Sequence, residues 1–192
     1  MHPLHTYPLP GVREPLCSVS HILGAAAFAV LAVAFIRRGG GDRWRTICLA
    51  MMACSSVLLL ATSGLYHMCW PGPLREFMVR ADVSAVFLLI AGSLTPIYGI
   101  LFQGAARWVP LLLIWGVTGF GIASRIVSPE SSIGPTGVAL FLAFGWGNAI
   151  VTVVMWRKYG WRFIKPGICA GLSYTFGAIV LMLHAPTVWH GF

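Results

Sequence analysis

The sequence contains very few charged residues, and this scarcity excludes an ordinary soluble domain. Of its 192 residues only 9% are charged, and just 5 are acidic. Soluble domains average about 25% charged residues. Hydrophobic residues make up 58% of the chain, and a soluble domain would need more polar surface to cover such a core. The composition therefore indicates a protein that faces lipid.

Two further absences narrow the class of protein. The five cysteines are an odd number, are scattered along the chain and form no CxxC or other metal-knuckle spacing. We therefore interpret them as small apolar packing residues. The short alternating segments of a transmembrane β-barrel are also missing. Membrane-spanning helices remain the favoured architecture.

Six stretches of 17 to 26 residues contain no Asp, Glu, Lys or Arg. A helix needs about 20 apolar residues to cross the hydrocarbon core of a bilayer. We therefore predict an all-α membrane protein with six transmembrane helices in a single domain over residues 1–192. The predicted helices cover residues 17–36, 46–66, 83–106, 108–124, 131–156 and 166–183.

The net charge of +8 would suggest nucleic-acid binding in a soluble protein. Here the basic residues lie in the short loops that flank the apolar runs, where they orient membrane insertion. Nine Lys and Arg residues lie on one predicted side of the membrane and four on the other. This bias predicts cytoplasmic odd-numbered loops and an external N-terminus. We expect membrane lipids as partners, and no nucleic acid; the oligomeric state is left open.

Three polar side chains are predicted to meet at one end of the bundle. Ser63 and His67 are four residues apart, which places them on one face of the second helix. Asp82 opens the third predicted helix on the same side of the membrane. A neutral imidazole is a good zinc ligand, and a carboxylate can orient or deprotonate a water molecule. Ser20 and His21, near the start of the first helix, add to this set.

Each of these residues also has a purely structural interpretation. His67 can be an interfacial histidine, and Asp82 can serve as an N-cap, because aspartate is favoured there. Ser63 can hydrogen-bond to a carbonyl of its own helix. The spacing alone leaves these alternatives open.

Several motifs resemble the hemolysin III proteins, which fall within the progestin and adipoQ receptor family. Residues 63–67 are similar to the SxxxH motif of that family, and residues 81–96 to its third-helix signature. The opening and a late helix match as well. The matching stretches, in order, are 13–15, 18–24, 63–67, 81–82, 90–96 and 171–178.

The resemblance implies a seven-helix bundle around a zinc site. His67 would be a direct zinc ligand, while Ser63 and Asp82 would hold a water or hydroxide on the metal. The implied activity is metal-dependent hydrolysis of lipid amides such as ceramide. The hemolysin name of bacterial members denotes lysis of red cells.

The family completes its zinc site with an HxxxH motif on the seventh helix, and this sequence has no such motif in a late helix. We therefore expect the seventh helix to be absent and the site to be incomplete. His184 and His190 are the low-ranked substitutes for the missing ligands, since the predicted topology brings them to the membrane face of His67.

The sequence leaves two functions open. The first is a zinc-dependent membrane hydrolase of the hemolysin III type in the bacterial inner membrane. The second is a non-catalytic membrane protein, either a sensor or modulator of lipid state or a cytolytic factor. A small transporter or channel is disfavoured, because the predicted helices lack charged residues.

Overall fold

We describe the fold from a computed structural model, in which residues 11–127 and 135–182 are described. The elements in these ranges are all α-helices, as the sequence predicts. They are α1 (Pro15–Arg37), α2 (Arg43–Met68), α3 (Pro73–Leu101), α4 (Ala105–Val127), α5 (Pro135–Trp146), α6 (Ala149–Tyr159) and α7 (Trp161–Met182).

Five of these helices, α1 to α4 and α7, are long and apolar enough to cross a membrane. Many of their large apolar side chains are exposed, as expected for surfaces that face lipid. The chain is thus an all-α protein with several candidate membrane spans. The five spans in the described residues fall short of the six that the sequence predicts.

The difference lies in the fifth predicted helix, residues 131–156. Two short helices, α5 and α6, replace it, with a turn at Gly147 and Asn148 between them. The Gly147 N–H donates to the Ala143 carbonyl over 2.8 Å, and the Asn148 side chain donates to the Phe144 carbonyl over 3.0 Å. Glycine and asparagine disfavour a helix interior, so an uncharged run did not ensure an unbroken helix.

The third helix also differs from its prediction, because α3 begins at Pro73 and not at residue 83. Proline is favoured in the first turn of a helix, where its missing N–H is not needed. Three charged residues, Arg75, Glu76 and Arg80, then lie in the first turns of α3. A charge-free run marks the apolar part of a helix and misses such a polar beginning.

The described helices divide into two compact units, one with α1 to α4 and one with α5 to α7. Each is described by itself, and the single domain expected from the sequence stays a prediction. In the first unit, short turns join sequential helices. The turn from α1 to α2 uses Gly40 and Gly41 at φ values of 62° and 87°, and Asp42 caps α2 by accepting from the Arg45 N–H.

Small residues let the helices of the first unit pack closely. A Cβ added to Gly92 of α3 would lie 2.1 Å from the Ser55 hydroxyl oxygen of α2, so this contact requires glycine. Between α3 and α4, the Phe87 ring fills the space beside Gly121 in the same way. The Trp44 indole adds a hydrogen bond from α2 to the Gly99 carbonyl at 2.7 Å. This packing holds α2 against α3 and α3 against α4.

Candidate metal centre

The beginning of α1 is tied to the end of α2 by the main chain. The Glu14 N–H donates to the His67 carbonyl over 3.1 Å, and the Arg13 N–H donates to the Met68 carbonyl over 3.4 Å. Pro15 then starts α1 without an N–H of its own to satisfy. Residues that flank these two helix ends are therefore held close together.

Ser63 and His67 lie one turn apart on α2, with Ser63 buried and His67 half-buried. The Ser63 hydroxyl hydrogen-bonds to the Asp82 carboxylate of α3, and His67 and His21 lie within electrostatic reach of that carboxylate. These residues therefore lie together at one end of the first unit.

Asp82 does not open α3 as the sequence suggested. It lies nine residues beyond Pro73, inside the helix, and its carboxylate is half-buried against α2. A carboxylate in that position does not cap the helix, because the free N–H groups of α3 lie in its first turn. The N-cap interpretation of Asp82 is wrong.

The Glu14 carboxylate joins this end of the bundle through both of its oxygens. Oε2 lies 2.5 Å from His67 Nδ1, while Oε1 lies 3.4 Å from an Arg75 guanidinium nitrogen and 3.5 Å from Arg13 Nε. The hydrogen bond with His67, together with the positive charges nearby, lowers the pKa of Glu14 and outweighs the opposing effect of partial burial. Glu14 is therefore an anion at neutral pH.

Arg75 is held in place by several acceptors. Its guanidinium donates to the carbonyls of Tyr66 and Cys69 over 3.1 and 2.9 Å, and to the Tyr66 hydroxyl over 2.8 Å. It also lies over the Tyr66 ring, 4.2 Å from its centroid. These contacts fix the charge that faces Glu14.

A second imidazole lies beside His67. The ring centroids of His21 and His67 are 5.6 Å apart. Nδ1 of His21 lies 2.7 Å from the Cys17 carbonyl oxygen, and Ser20 hydrogen-bonds to the same carbonyl. Because a carbonyl only accepts, Nδ1 of His21 must be the donor, which leaves the lone pair of the neutral ring on Nε2.

Three side chains form a possible metal-binding triad, namely Glu14, Cys17 and His67. One ligand atom from each lies within 4.8 Å of the other two. Cys17 follows Glu14 by three residues, which puts both on one face of the helix start, and it is only 6% exposed. From the sequence alone, Cys17 is expected to be a packing residue, and Glu14 is not among the predicted site residues. One signal in the sequence could have pointed to these two residues. A carboxylate and a thiol three residues apart can lie on one helical face, and here they come at the start of the helix that precedes the one carrying His67.

The other two metal ligands suggested by the sequence, His184 and His190, lie outside the described residues. Their assignment stays a prediction.

These features define a multi-pass helical membrane protein with a polar cluster whose side chains could hold a metal ion. The chain belongs to the haemolysin-III related family, whose model matches residues 11–191. It is 24% identical over 192 residues to hemolysin-3 of Bacillus cereus, covering 94% of this chain and 85% of that protein. It is 23% identical over 158 residues to a hemolysin-3 homolog of Bacillus subtilis (strain 168), covering 79% and 73% of the two chains. No solved structure matches the chain.

Proposed function

We propose that this protein is a zinc-dependent membrane hydrolase that cleaves amide or similar bonds of lipids. The observation that carries the proposal is the meeting of His67, Ser63 and Asp82 at one end of α2 and α3. A carboxylate is costly to insert in a membrane, by about 2.5–3.5 kcal/mol at its centre and less near the interface. If Asp82 served only to pack α3 against α2, an uncharged side chain would do so without this cost in free energy.

The donor set fits zinc. An imidazole, a carboxylate and a thiol are the ligand types that zinc prefers, and His67 lies within reach of the other two. When bound, zinc would polarise a carbonyl group and make water a stronger nucleophile at neutral pH.

The residues of the chain supply the other parts of the chemistry. The Asp82 carboxylate accepts the proton of the attacking water and delivers it to the leaving nitrogen, as general base and then general acid. The Ser63 hydroxyl donates to Asp82 and so fixes the orientation of the carboxylate. Glu14 and Arg75 brace the end of α2 that presents His67.

The choice of lipid amides rests on the family resemblance and on the setting. The cluster lies at the end of apolar helices, and in a bilayer such a helix end would lie near the lipid headgroups. We expect the protein to reside in the inner membrane of a bacterium, with lipids as its partners.

We further propose that α5 and α6 cross the membrane together as one interrupted span, which gives six spans. Residues 135–159 exceed the length of about 20 that a crossing needs. Broken helices are tolerated in membranes where side chains satisfy the freed backbone groups, as Asn148 does for Phe144.

The hydrolase is tested with the purified full chain and a ceramide in detergent micelles. Asp82→Asn preserves the shape of the side chain and should lower the rate at least 100-fold, because general acid–base catalysis contributes about that much. Asp42→Asn is the matched control, since asparagine also caps helices well and should leave the rate unchanged. Equal rates for wild type and Asp82→Asn would refute the proposal.

The relatives favour a second candidate, a non-catalytic cytolytic protein or modulator of lipid state. Both are named for hemolysin, which denotes lysis of red cells. Lysis of red cells by the purified protein that survives Asp82→Asn and metal chelation would favour this function over hydrolysis.

A further inference from the structure

Glu14, Cys17 and His67 have ligand atoms close enough to share one ion, and they come from two helix ends that the main chain ties together. We propose that these three residues are the protein ligands of a single zinc ion. The choice of zinc rests on the proposed function, whereas the ligand set rests on the geometry of the cluster.

The distances in the cluster suit a zinc ion after small side-chain movements. Zinc–nitrogen and zinc–oxygen bonds of about 2.0–2.2 Å and a zinc–sulfur bond of about 2.3 Å place tetrahedral ligand atoms roughly 3.3–3.6 Å apart. The three ligand atoms already lie within 4.8 Å of one another. Nδ1 of His67 and Oε2 of Glu14 are now 2.5 Å apart and must separate by about 1 Å to bind the same ion.

The surroundings hold Glu14 as a one-oxygen ligand. Its Oε1 is occupied by Arg75 and Arg13, which directs Oε2 towards His67. Arg75 is itself fixed by the carbonyls of Tyr66 and Cys69. Hydrogen-bonded partners of this kind orient the ligands of metal sites. The ion pairs thus leave the oxygen nearest the other two donors facing the site.

The thiol of Cys17 decides which metal the site prefers. A set of one sulfur, one nitrogen and one oxygen favours zinc over magnesium or calcium, which take oxygen ligands. Three protein ligands leave a fourth position for water, as in catalytic zinc sites. His67 is also within electrostatic reach of Asp82, the proposed base.

Metal analysis and cobalt spectroscopy of the full 192-residue protein test the ligand set. We expect one zinc per chain. After replacement of zinc by Co²⁺, we expect a thiolate-to-cobalt charge-transfer band in the near ultraviolet. Cys17→Ser should abolish this band and weaken zinc binding at least 10-fold. Cys48→Ser is the matched control, because Cys48 is also buried but lies elsewhere on α2, and it should keep both band and affinity.

Glu14→Ala and His67→Ala should each weaken zinc binding as well, whereas His184→Ala and His190→Ala should not. A second experiment uses the wild-type protein and therefore does not depend on whether Cys17→Ser folds. Zinc should slow the alkylation of Cys17 by a maleimide and leave the rate at Cys69 unchanged. Mass spectrometry measures both rates.

A cobalt complex without the charge-transfer band, a band that persists in Cys17→Ser, no bound metal, or no protection of Cys17 by zinc would each overturn the ligand set. None of these readouts depends on hydrolysis. An inactive protein with a cobalt–thiolate band would therefore refute the hydrolase alone. Hydrolysis that requires Asp82 but is unaffected by Cys17→Ser would refute the ligand set alone.

Discussion

Glu14 and His67 are joined twice, once by the main chain and once by their side chains. The Glu14 N–H donates to the His67 carbonyl over 3.1 Å, and the carboxylate oxygen Oε2 lies 2.5 Å from Nδ1 of the imidazole. The first bond fixes the end of α2 against the beginning of α1, and the second fixes the ring. An ion at this position would therefore meet side chains that are already oriented, which lowers the entropic cost of binding it.

Arg75 is expected to stabilise this end of the first unit. Arg75→Ala removes hydrogen bonds to two carbonyls and the ion pair with Glu14, and it leaves polar groups of α2 without their donor. We expect a loss of about 1–3 kcal/mol in the free energy of unfolding. Thermal unfolding in detergent measures the loss. Arg80→Ala, an exposed arginine on the same helix, serves as the control and should change little. Equal stability of the two variants would contradict the role of Arg75.

The lowered pKa of Glu14 predicts a pH-dependent contribution to stability. The charged carboxylate is favoured in the folded protein by its hydrogen bond with His67, so its folded pKa lies below the ordinary value of 4.5. The contribution is therefore fully present above pH 4.5 and is lost as pH falls through the lower folded pKa. In the metal-free protein, we expect the stability advantage of wild type over Glu14→Gln to shrink as pH falls below 4.5. A difference that grows in acid would contradict this assignment.

The sequence predicted the helical membrane architecture well, because long charge-free runs have few alternatives in lipid. The four-residue spacing of Ser63 and His67 was sufficient to place them on one helical face. The position of Glu14 and Cys17 beside His67 could not be predicted in this way, because it depends on how α1 docks on α2. That docking relies on main-chain bonds and close packing, and hydropathy does not encode them.

Boundaries were harder to predict than the presence of helices. The first turns of α3 are polar, and α5 and α6 are separated at an uncharged Gly147–Asn148 turn. A long stretch without charged residues marks the apolar middle of a membrane helix. It does not detect polar helical residues outside the hydrocarbon. It also does not detect uncharged residues that interrupt a helix inside the hydrocarbon.

Close packing of α2 against α3 predicts that Gly92 tolerates no larger side chain. A Cβ at this position would lie 2.1 Å from the Ser55 hydroxyl oxygen and 2.8 Å from its Cβ. We expect Gly92→Ala to destabilise the protein by about 1–3 kcal/mol, despite the better helix propensity of alanine. Gly116→Ala is the control, since nothing lies within 4 Å of an added Cβ there, and it should be neutral or stabilising. Thermal unfolding measures the stability of both variants. If Gly92→Ala is as stable as wild type, α2 and α3 can move apart at little cost in free energy.

The orientation of the chain and the number of its membrane spans can be tested together. The charge bias places the turn after α1 in the cytoplasm and the N-terminus outside. Reporter fusions after Gly40 and after Lys158 should therefore report the cytoplasm, and a fusion after Pro73 should report the outside. Lys158 lies at the end of the α5–α6 pair, so its side of the membrane depends on whether the pair crosses.

A further fusion near residue 130, after α4, tests this crossing. It should report the outside if the α5–α6 pair crosses the membrane. If the fusions near residue 130 and after Lys158 report the same side, the pair does not span the membrane and the six-span topology is wrong. If the Gly40 and Pro73 fusions exchange sides, the charge count has assigned the orientation incorrectly.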